Sequence, residues 1–321
     1  MRKAFTLLEL VFVIVVMGIL AKFGTNILVT TYSSFAASTT NNKLLANVEL
    51  TLKQIPNRLQ YRIKDSVISR ATPNGAFTSV ANVQAGHAVL EWVGYDIDGW
   101  LGNANSTNPN WSGFIDVDNT AATAPTANGL FIVSPLSNEG NISSTIAALA
   151  NGSANDIGDA AIFFTGQNSD VTTDYGYAGA LNSQNFAAHT LSATSAGSTF
   201  VPGDGNFTGV DVYENYKLAW TAYAISLEDF NGDGDTYSAD HPTLAGTLIR
   251  DLVFYYDYQP WNGVAKGGAG NVRRQLLLQN VDTFRYQAVG ETIKLQVCVN
   301  DLDALGGNDG GYSVCEEIAI F

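Results

Sequence analysis

The feature that most constrains this chain is an apolar segment at its N-terminus. Residues 4–21 contain one charged side chain, Glu9, and the segment lies between Arg2 and Lys3 on one side and Lys22 on the other. At about 18 residues it is near the lower limit for a membrane-spanning helix and longer than the apolar core of an ordinary secretory signal. The positive charge ahead of it predicts a cytoplasmic N-terminus, with the remainder of the chain across the membrane.

Glu9 is the unusual residue of this segment. A carboxylate near the start of a membrane helix costs about 2.5 to 3.5 kcal/mol on insertion scales, so we expect it to have a partner. Two simpler interpretations, a signal peptide cut after residues 18–21 and a plain membrane anchor, account for the apolar length. Neither explains the acidic residue.

Residues 3–10, Lys-Ala-Phe-Thr-Leu-Leu-Glu-Leu, resemble the processing signal of the type IV pilin and type II secretion pseudopilin superfamily. The resemblance implies that a prepilin peptidase removes a leader, residues 1–4, by cutting between Ala4 and Phe5, and then methylates the new amine of Phe5. Glu9 would pair with that amine, within one subunit or between neighbours. Because an unpaired charge in lipid is costly, the pairing would favour subunits that join in the correct axial register.

The same resemblance implies partners and a location. The partners would be other pilins or pseudopilins, the prepilin peptidase and an inner-membrane assembly platform. The protein would begin in the bacterial inner membrane as a single-pass protein and move into a periplasmic pseudopilus or a cell-surface pilus. The size of the part outside the membrane is similar to that of the larger minor subunits, the J-type minor pseudopilin and the W-type minor pilins, which prime or cap filament assembly.

The helical pattern continues beyond the membrane segment, which we place at residues 5–25. Apolar residues recur at spacings of three and four, which predicts an amphipathic helical stem over residues 26–70: Leu45, Val48, Leu52, Ile55, Leu59, Ile63 and Val67. Pro56 should kink or divide this helix. Its other face is basic, and either solvent or acidic surface of the same or an adjacent subunit would cover that face.

After residue 70 the apolar period changes from 3.6 to 2, which predicts a β-rich antiparallel head over residues 71–321 and an α+β fold class. We expect strands at residues 77–80, 89–93, 130–133, 160–164, 218–227, 248–258, 282–289 and 293–299. Residues 102–202 are rich in Asn, Ser, Thr, Ala and Gly, which indicates a loop-rich region, an insertion or a small subdomain.

The charge of the chain and its lack of known catalytic motifs reduce the number of function classes to consider. The formal net charge is −14, and residues 71–216 contain no Lys or Arg, so direct binding of nucleic acid is not expected. His87, His189 and His241 stand in no known catalytic motif. We therefore expect a non-enzymatic filament subunit. The alternatives are a pilus-tip adhesin that binds a surface or a glycan through the loop-rich acidic head, and a membrane-anchored periplasmic enzyme.

Two cysteines, Cys298 and Cys315, are the only ones in the chain. An exported protein meets oxidising conditions, which favour a disulfide over a metal pair. A bridge across that loop would contribute about 3 kcal/mol in the chain-entropy model. Two buried free thiols are the other interpretation.

The strongest metal signal is the run Asp229-Phe230-Asn231-Gly232-Asp233-Gly234-Asp235, followed by Asp240. Oxygen side chains at loop positions 1, 3 and 5, glycine at 6 and a carboxylate at 12 follow the spacing of an EF-hand loop, so we expect Ca²⁺ as a cofactor. The predicted calcium ligands are Asp229, Asn231, Asp233, Asp235 and Asp240. The other interpretation is a solvated turn rich in Asp and Asn.

Overall fold

A computed structural model of the chain shows an α+β fold, as predicted, with one long N-terminal helix packed on a β-rich head. The structure describes residues 7–83, 86–102, 108–118, 131–150, 152, 154–207, 209–236, 246–268, 272–300 and 313–321.

Helix α1 runs from Leu7 to Gln54, and a short helix α2 follows at Pro56–Leu59. The division falls where Pro56 was expected to place it, because proline has no N–H for the helical ladder. The helix does not reach Arg70, contrary to expectation. After α2 the chain forms a single 3₁₀ turn at Lys64–Ser66 and then strand β1, Ile68–Arg70. Ile63 and Val67 are still buried, but on extended backbone that continues into the sheet.

A six-stranded antiparallel sheet forms the centre of the head. Its strands after β1 are β2 (Phe77–Ser79), β3 (Val89–Gly94), β9 (Thr221–Glu228), β10 (Asp251–Tyr258) and β11 (Arg273–Leu278). Their order across the sheet is β11-β10-β9-β3-β1-β2. All six residues of β3 are buried, since β3 lies in the interior of the sheet and both of its faces are covered.

A second antiparallel sheet contains the last three strands, β12 (Val281–Val289), β13 (Thr292–Asn300) and β14 (Ser313–Ile320), in sequence order. The predicted alternation along β13 holds, with Ile293, Leu295 and Val297 buried and Lys294 exposed. Helix α1 packs on β13, β14 and the neighbouring β11. Val48, Leu52, Ile55 and Leu59 provide its buried stripe.

Residues 95–220 form an insertion between two hydrogen-bonded strands. Gly94, at the end of β3, is the register partner of Thr221, at the start of β9. They are separated by 126 residues, and the described residues among these form two small sheets of their own. One sheet contains β5 (Ala161–Phe164), β6 (His189–Thr190) and β8 (Tyr216–Ala219), and the other pairs β4 (Ile132–Val133) with β7 (Thr199–Phe200). The insertion also holds α3, Ile97–Leu101, and α4, Glu139–Ala150.

The insertion, hereafter the inserted lobe, has its own apolar core, which includes Trp111, Ile142 and Phe200. A third cluster joins it to the six-stranded sheet. Trp261, which follows β10 and is fully buried, is central to this junction. Its indole N–H donates to the carbonyl of Asp159 (3.1 Å), and its own carbonyl accepts from Leu181 N–H (2.9 Å).

Candidate assembly helix and other candidate sites

The first half of α1 is an apolar surface that nothing in the described chain covers. The helix is long and apolar enough to cross a membrane, and the most apolar part of it makes no buried contact with the head. Large apolar side chains remain exposed well past Lys22, among them Ile27, Leu28, Val29, Tyr32 and Phe35, each 64–70% exposed. No charged residue occurs between Lys22 and Lys43, so the seventeen residues that follow the predicted membrane segment, 26–42, are all uncharged.

Glu9 lies in the first turn of α1, on the part of the helix that the head does not cover. Ala4 and Phe5, the predicted cleavage and methylation residues, lie outside the described residues. The structure therefore gives the position of Glu9 in the helix and leaves the processing step as a prediction.

Two cations of the predicted basic stem, Arg62 and Lys64, lie after helix α2 and fix the stem to the head. Arg62 is buried, and its guanidinium donates to the carbonyls of Leu59 (2.9 Å) and Glu291. Burial lowers the pKa of Arg62, and the charge of Glu291 opposes that shift. Lys64 pairs with the exposed Glu291 carboxylate, and this contact lowers the pKa of Glu291. Part of the basic face therefore contacts acidic surface of the same chain.

A buried ion pair joins β1 to β3. Arg70 Nε donates to Glu91 (2.9 Å), whose side chain is 1% exposed, and Tyr258 donates to the other oxygen of the same carboxylate (3.0 Å). Arg70 also donates to the carbonyl of Gly75 (3.0 Å). Both oxygens of the buried carboxylate are thereby satisfied, as a buried charge requires. A sequence reading missed this pair, because only the register between β1 and β3 brings the two residues together.

The predicted calcium loop connects β9 to β10. The carboxylate of Asp229 accepts the backbone N–H groups of Gly232 (2.8 Å) and Gly234 (3.0 Å), and Asp233 accepts that of Asp235 (3.0 Å). Gly232 and Gly234 adopt φ of +71° and +75°, a conformation that favours glycine. The bridge between Thr236 and Leu248 closes the loop.

The side chain of Asn231 donates to Asp233, so the loop's polar groups contact one another as in an Asx-type turn. Within the described part of the chain, no three His, Cys, Asp or Glu side chains form a group that could hold a metal ion. Asp240, the predicted ligand at position 12, lies outside the described residues. Calcium binding therefore stays a prediction.

The disulfide is confirmed. Cys298 and Cys315 are bonded and lie directly opposite each other in the register of β13 and β14. The bridge joins the final strand to the sheet on which the stem helix packs.

The inserted lobe accounts for most of the chain's net negative charge, −11 of −14. It contains twelve Asp and Glu residues against one Lys, Lys217. Its first acid, Asp96, is buried beside the crossing into the lobe and accepts Gly99 N–H (3.0 Å) as the N-cap of α3. Burial raises the pKa of Asp96 to about 6, although the hydrogen bond from Gly99 lowers it.

The two histidines that the structure describes lie in different environments. His189 is enclosed in the core of the inserted lobe between Phe164 and Phe207. His87 is partly exposed beside β12, where its Nδ1 lies 2.5 Å from Ser69 Oγ. His241 lies outside the described residues.

A search of the sequence profiles of known protein families, of curated proteins and of solved structures finds no match to this chain.

Proposed function

We propose that this protein is a minor pilin or minor pseudopilin, a structural subunit that helps to prime or cap a type IV pilus or a type II secretion pseudopilus. The observation that carries the proposal is the length of exposed apolar helix. Residues 7–35 rise about 44 Å at 1.5 Å per residue, whereas a bilayer core is about 30 Å thick. Fitting that length into lipid would need a tilt of about 47°, beyond the usual range of up to about 40°.

Part of this helix must therefore meet something other than lipid. Extensive exposed apolar surface marks a protein interface. The residues that follow Lys22 as far as position 42 are uncharged, and they include the exposed large apolar side chains of Phe23, Ile27, Leu28, Val29, Tyr32 and Phe35. Similar helices of neighbouring subunits are partners of the right length and chemistry. Glu9, near the start of the same helix, would then be the charged group that fixes the axial register, through the amine that cleavage exposes at Phe5.

The test is assembly in a bacterium that carries a prepilin peptidase and an assembly platform. For Glu9→Val we expect normal membrane insertion and loss of the subunit from filaments. The matched control is Glu49→Val, which changes the same residue type on the same helix at a surface pair with Lys53 and should leave assembly intact. Filaments that incorporate Glu9→Val at the wild-type level would contradict the proposal.

The N-terminus is tested separately by intact mass spectrometry. We expect a mature chain that begins at a methylated Phe5 and lacks residues 1–4. A mature chain that begins after residue 21 would instead support a cleaved signal peptide.

The tip adhesin remains the second candidate, and one observation favours it. The inserted lobe has its own apolar core, and none of its described residues belongs to the apolar cluster that contains helix α1. Replacement of residues 95–220 by a short turn should leave filaments intact if the lobe serves attachment, and attachment of cells should then be lost. Loss of filaments together with the lobe would favour the purely structural role.

A further inference from the structure

A surface cavity of about 380 Å³ lies beside the free edge of β12, where the residues after β2 meet the second sheet. Its size is within the range of small-molecule sites and suits one ring-sized ligand. The polar residues that line it are His87, Arg285, Gln287, Lys294, Gln296 and Glu317.

The cavity concentrates positive charge in a strongly acidic protein. The chain has 16 Lys and Arg against 30 Asp and Glu, yet Arg285 and Lys294 face the same cavity. Arg285 is the register partner of Gln296, and Lys294 lies two residues earlier on the same strand and face. Such diagonal neighbours lie about 7–8 Å apart, close enough for one small anion to contact both.

Neither cation is neutralised within the described part of the chain. The ion pairs found there involve other residues: Lys53 with Glu49, Lys64 with Glu291, Arg70 with Glu91, Lys266 with Glu228 and Arg273 with Asp257. Glu317 lines the same cavity without forming an ion pair with either one. Two cations and one carboxylate are therefore available to a ligand.

The imidazole of His87 is held in a defined orientation by a buried hydrogen-bond chain. Tyr286 donates its hydroxyl proton to the carbonyl of Val89, and burial raises the pKa of Tyr286, so the phenol keeps that proton. Ser69, 2.6 Å from the Tyr286 oxygen, must then donate to it. Ser69 Oγ is left to accept from His87 Nδ1, 2.5 Å away. This leaves the opposite edge of the ring, with Nε2, for the cavity.

We infer that this cavity binds a small acidic sugar, a ring-sized ligand with one carboxylate and several hydroxyls. The carboxylate would contact Arg285 and Lys294, which supply charge-assisted hydrogen bonds. Gln287, Gln296 and His87 Nε2 can bind hydroxyls. Glu317 disfavours a multiply charged phosphate, because its carboxylate would repel a dianion. The same carboxylate can accept hydrogen bonds from sugar hydroxyls.

The site does not depend on the filament role, and it is tested with the full chain in detergent. The probe is glucuronate, with glucose as the matched ligand that lacks the carboxylate and inorganic phosphate as the anion that lacks the ring. Saturation-transfer NMR and calorimetry should show binding of glucuronate. Glucose should bind at least about tenfold more weakly, since loss of a charged hydrogen bond costs about that much, and phosphate should also bind more weakly, because it lacks the ring hydroxyls and is repelled by Glu317. Equal binding of glucose, or tighter binding of phosphate, would overturn the inference.

Variants locate the site. Arg285→Gln and Lys294→Gln should each weaken glucuronate binding about tenfold or more at an unchanged melting temperature. Arg274→Gln, an exposed arginine on β11, is the matched control and should bind as the wild type does. Unchanged binding in both cavity variants would overturn the inference, as would a glucuronate signal equally reduced in Arg274→Gln.

Discussion

His189 makes the stability of the inserted lobe sensitive to acid. The side chain is fully buried on β6, with ring centroids of Phe164 and Phe207 at 4.7 and 5.8 Å. Its Nε2 lies 3.0 Å from the side-chain oxygen of Gln167, and Gln167 donates its amide to the carbonyl of Phe186, which orients that oxygen. Since the oxygen can only accept, Nε2 carries the hydrogen of the neutral ring.

Burial lowers the pKa of His189 from 6.5 to about 4. The unfolded chain therefore binds more protons than the folded one between these two values, and stability falls as the pH is lowered through this window. At 1.36 kcal/mol per pKa unit, the full loss below pH 4 is about 3 kcal/mol, and about 2 kcal/mol of it is expected at pH 5.

Two buried carboxylates act in the opposite direction. Burial raises the pKa values of Asp96 and Asp257 to about 6, against the lowering effects of hydrogen bonds at Asp96 and of Arg273 at Asp257. Between pH 4 and 6 these two carboxylates therefore bind more protons in the folded protein than in the unfolded chain, so their contribution to the free energy of unfolding increases as the pH is lowered. The wild-type profile sums these effects, so a variant is needed to isolate the histidine.

The variant is His189→Gln, which removes the titrating ring and keeps a polar side chain for Gln167. Urea unfolding of the full chain in detergent, at pH 7.5 and pH 5, gives the free energy of unfolding of both proteins. Any packing loss in the variant is the same at both pH values. The wild type should lose about 2 kcal/mol more than the variant between pH 7.5 and pH 5. A difference between the two proteins that does not change with pH would refute the reasoning.

Three further outcomes are expected. Trp261→Ala should lower the unfolding free energy by about 3–5 kcal/mol, with amide exchange rising first in the inserted lobe; a uniform rise over both sheets would contradict the junction role. The double variant Cys298→Ser and Cys315→Ser should lose about 3 kcal/mol, and reductant should lower the melting temperature of the wild type but not of the variant. If the loop at residues 229–240 binds Ca²⁺, chelator should lower the melting temperature of the wild type and leave Asp229→Asn unaffected; an unchanged wild-type midpoint would remove the calcium prediction.

Local patterns predicted the elements whose neighbours are close in sequence. The alternation of Ile293, Leu295 and Val297 placed β13, and Pro56 placed the division between α1 and α2. The strand expected over residues 218–227 is two strands, β8 and β9, because Trp220 lies where the chain leaves the lobe and joins the central sheet.

Long-range pairing could not be predicted. Helix α4 was missed because Gly, Asn and Ser dominate its first half, although Ile142, Ile146 and Ala150 follow a helical spacing and are buried. The insertion begins and ends where Gly94 pairs with Thr221. These two residues are separated by 126 others, so no local sequence pattern could predict the pairing. The ion pair of Arg70 with Glu91 and the closeness of the two cations Arg285 and Lys294 depend on strand register in the same way.

The two ends of the inserted lobe leave and rejoin the central sheet side by side. A unit attached in this way could be exchanged for another of different size or specificity while β3 and β9 kept their hydrogen bonds. The central sheet and stem would then be a shared scaffold, and related chains could differ mainly in the domain inserted between β3 and β9. Trp261 sets the condition for such a graft, because any replacement must offer the indole a new place to pack.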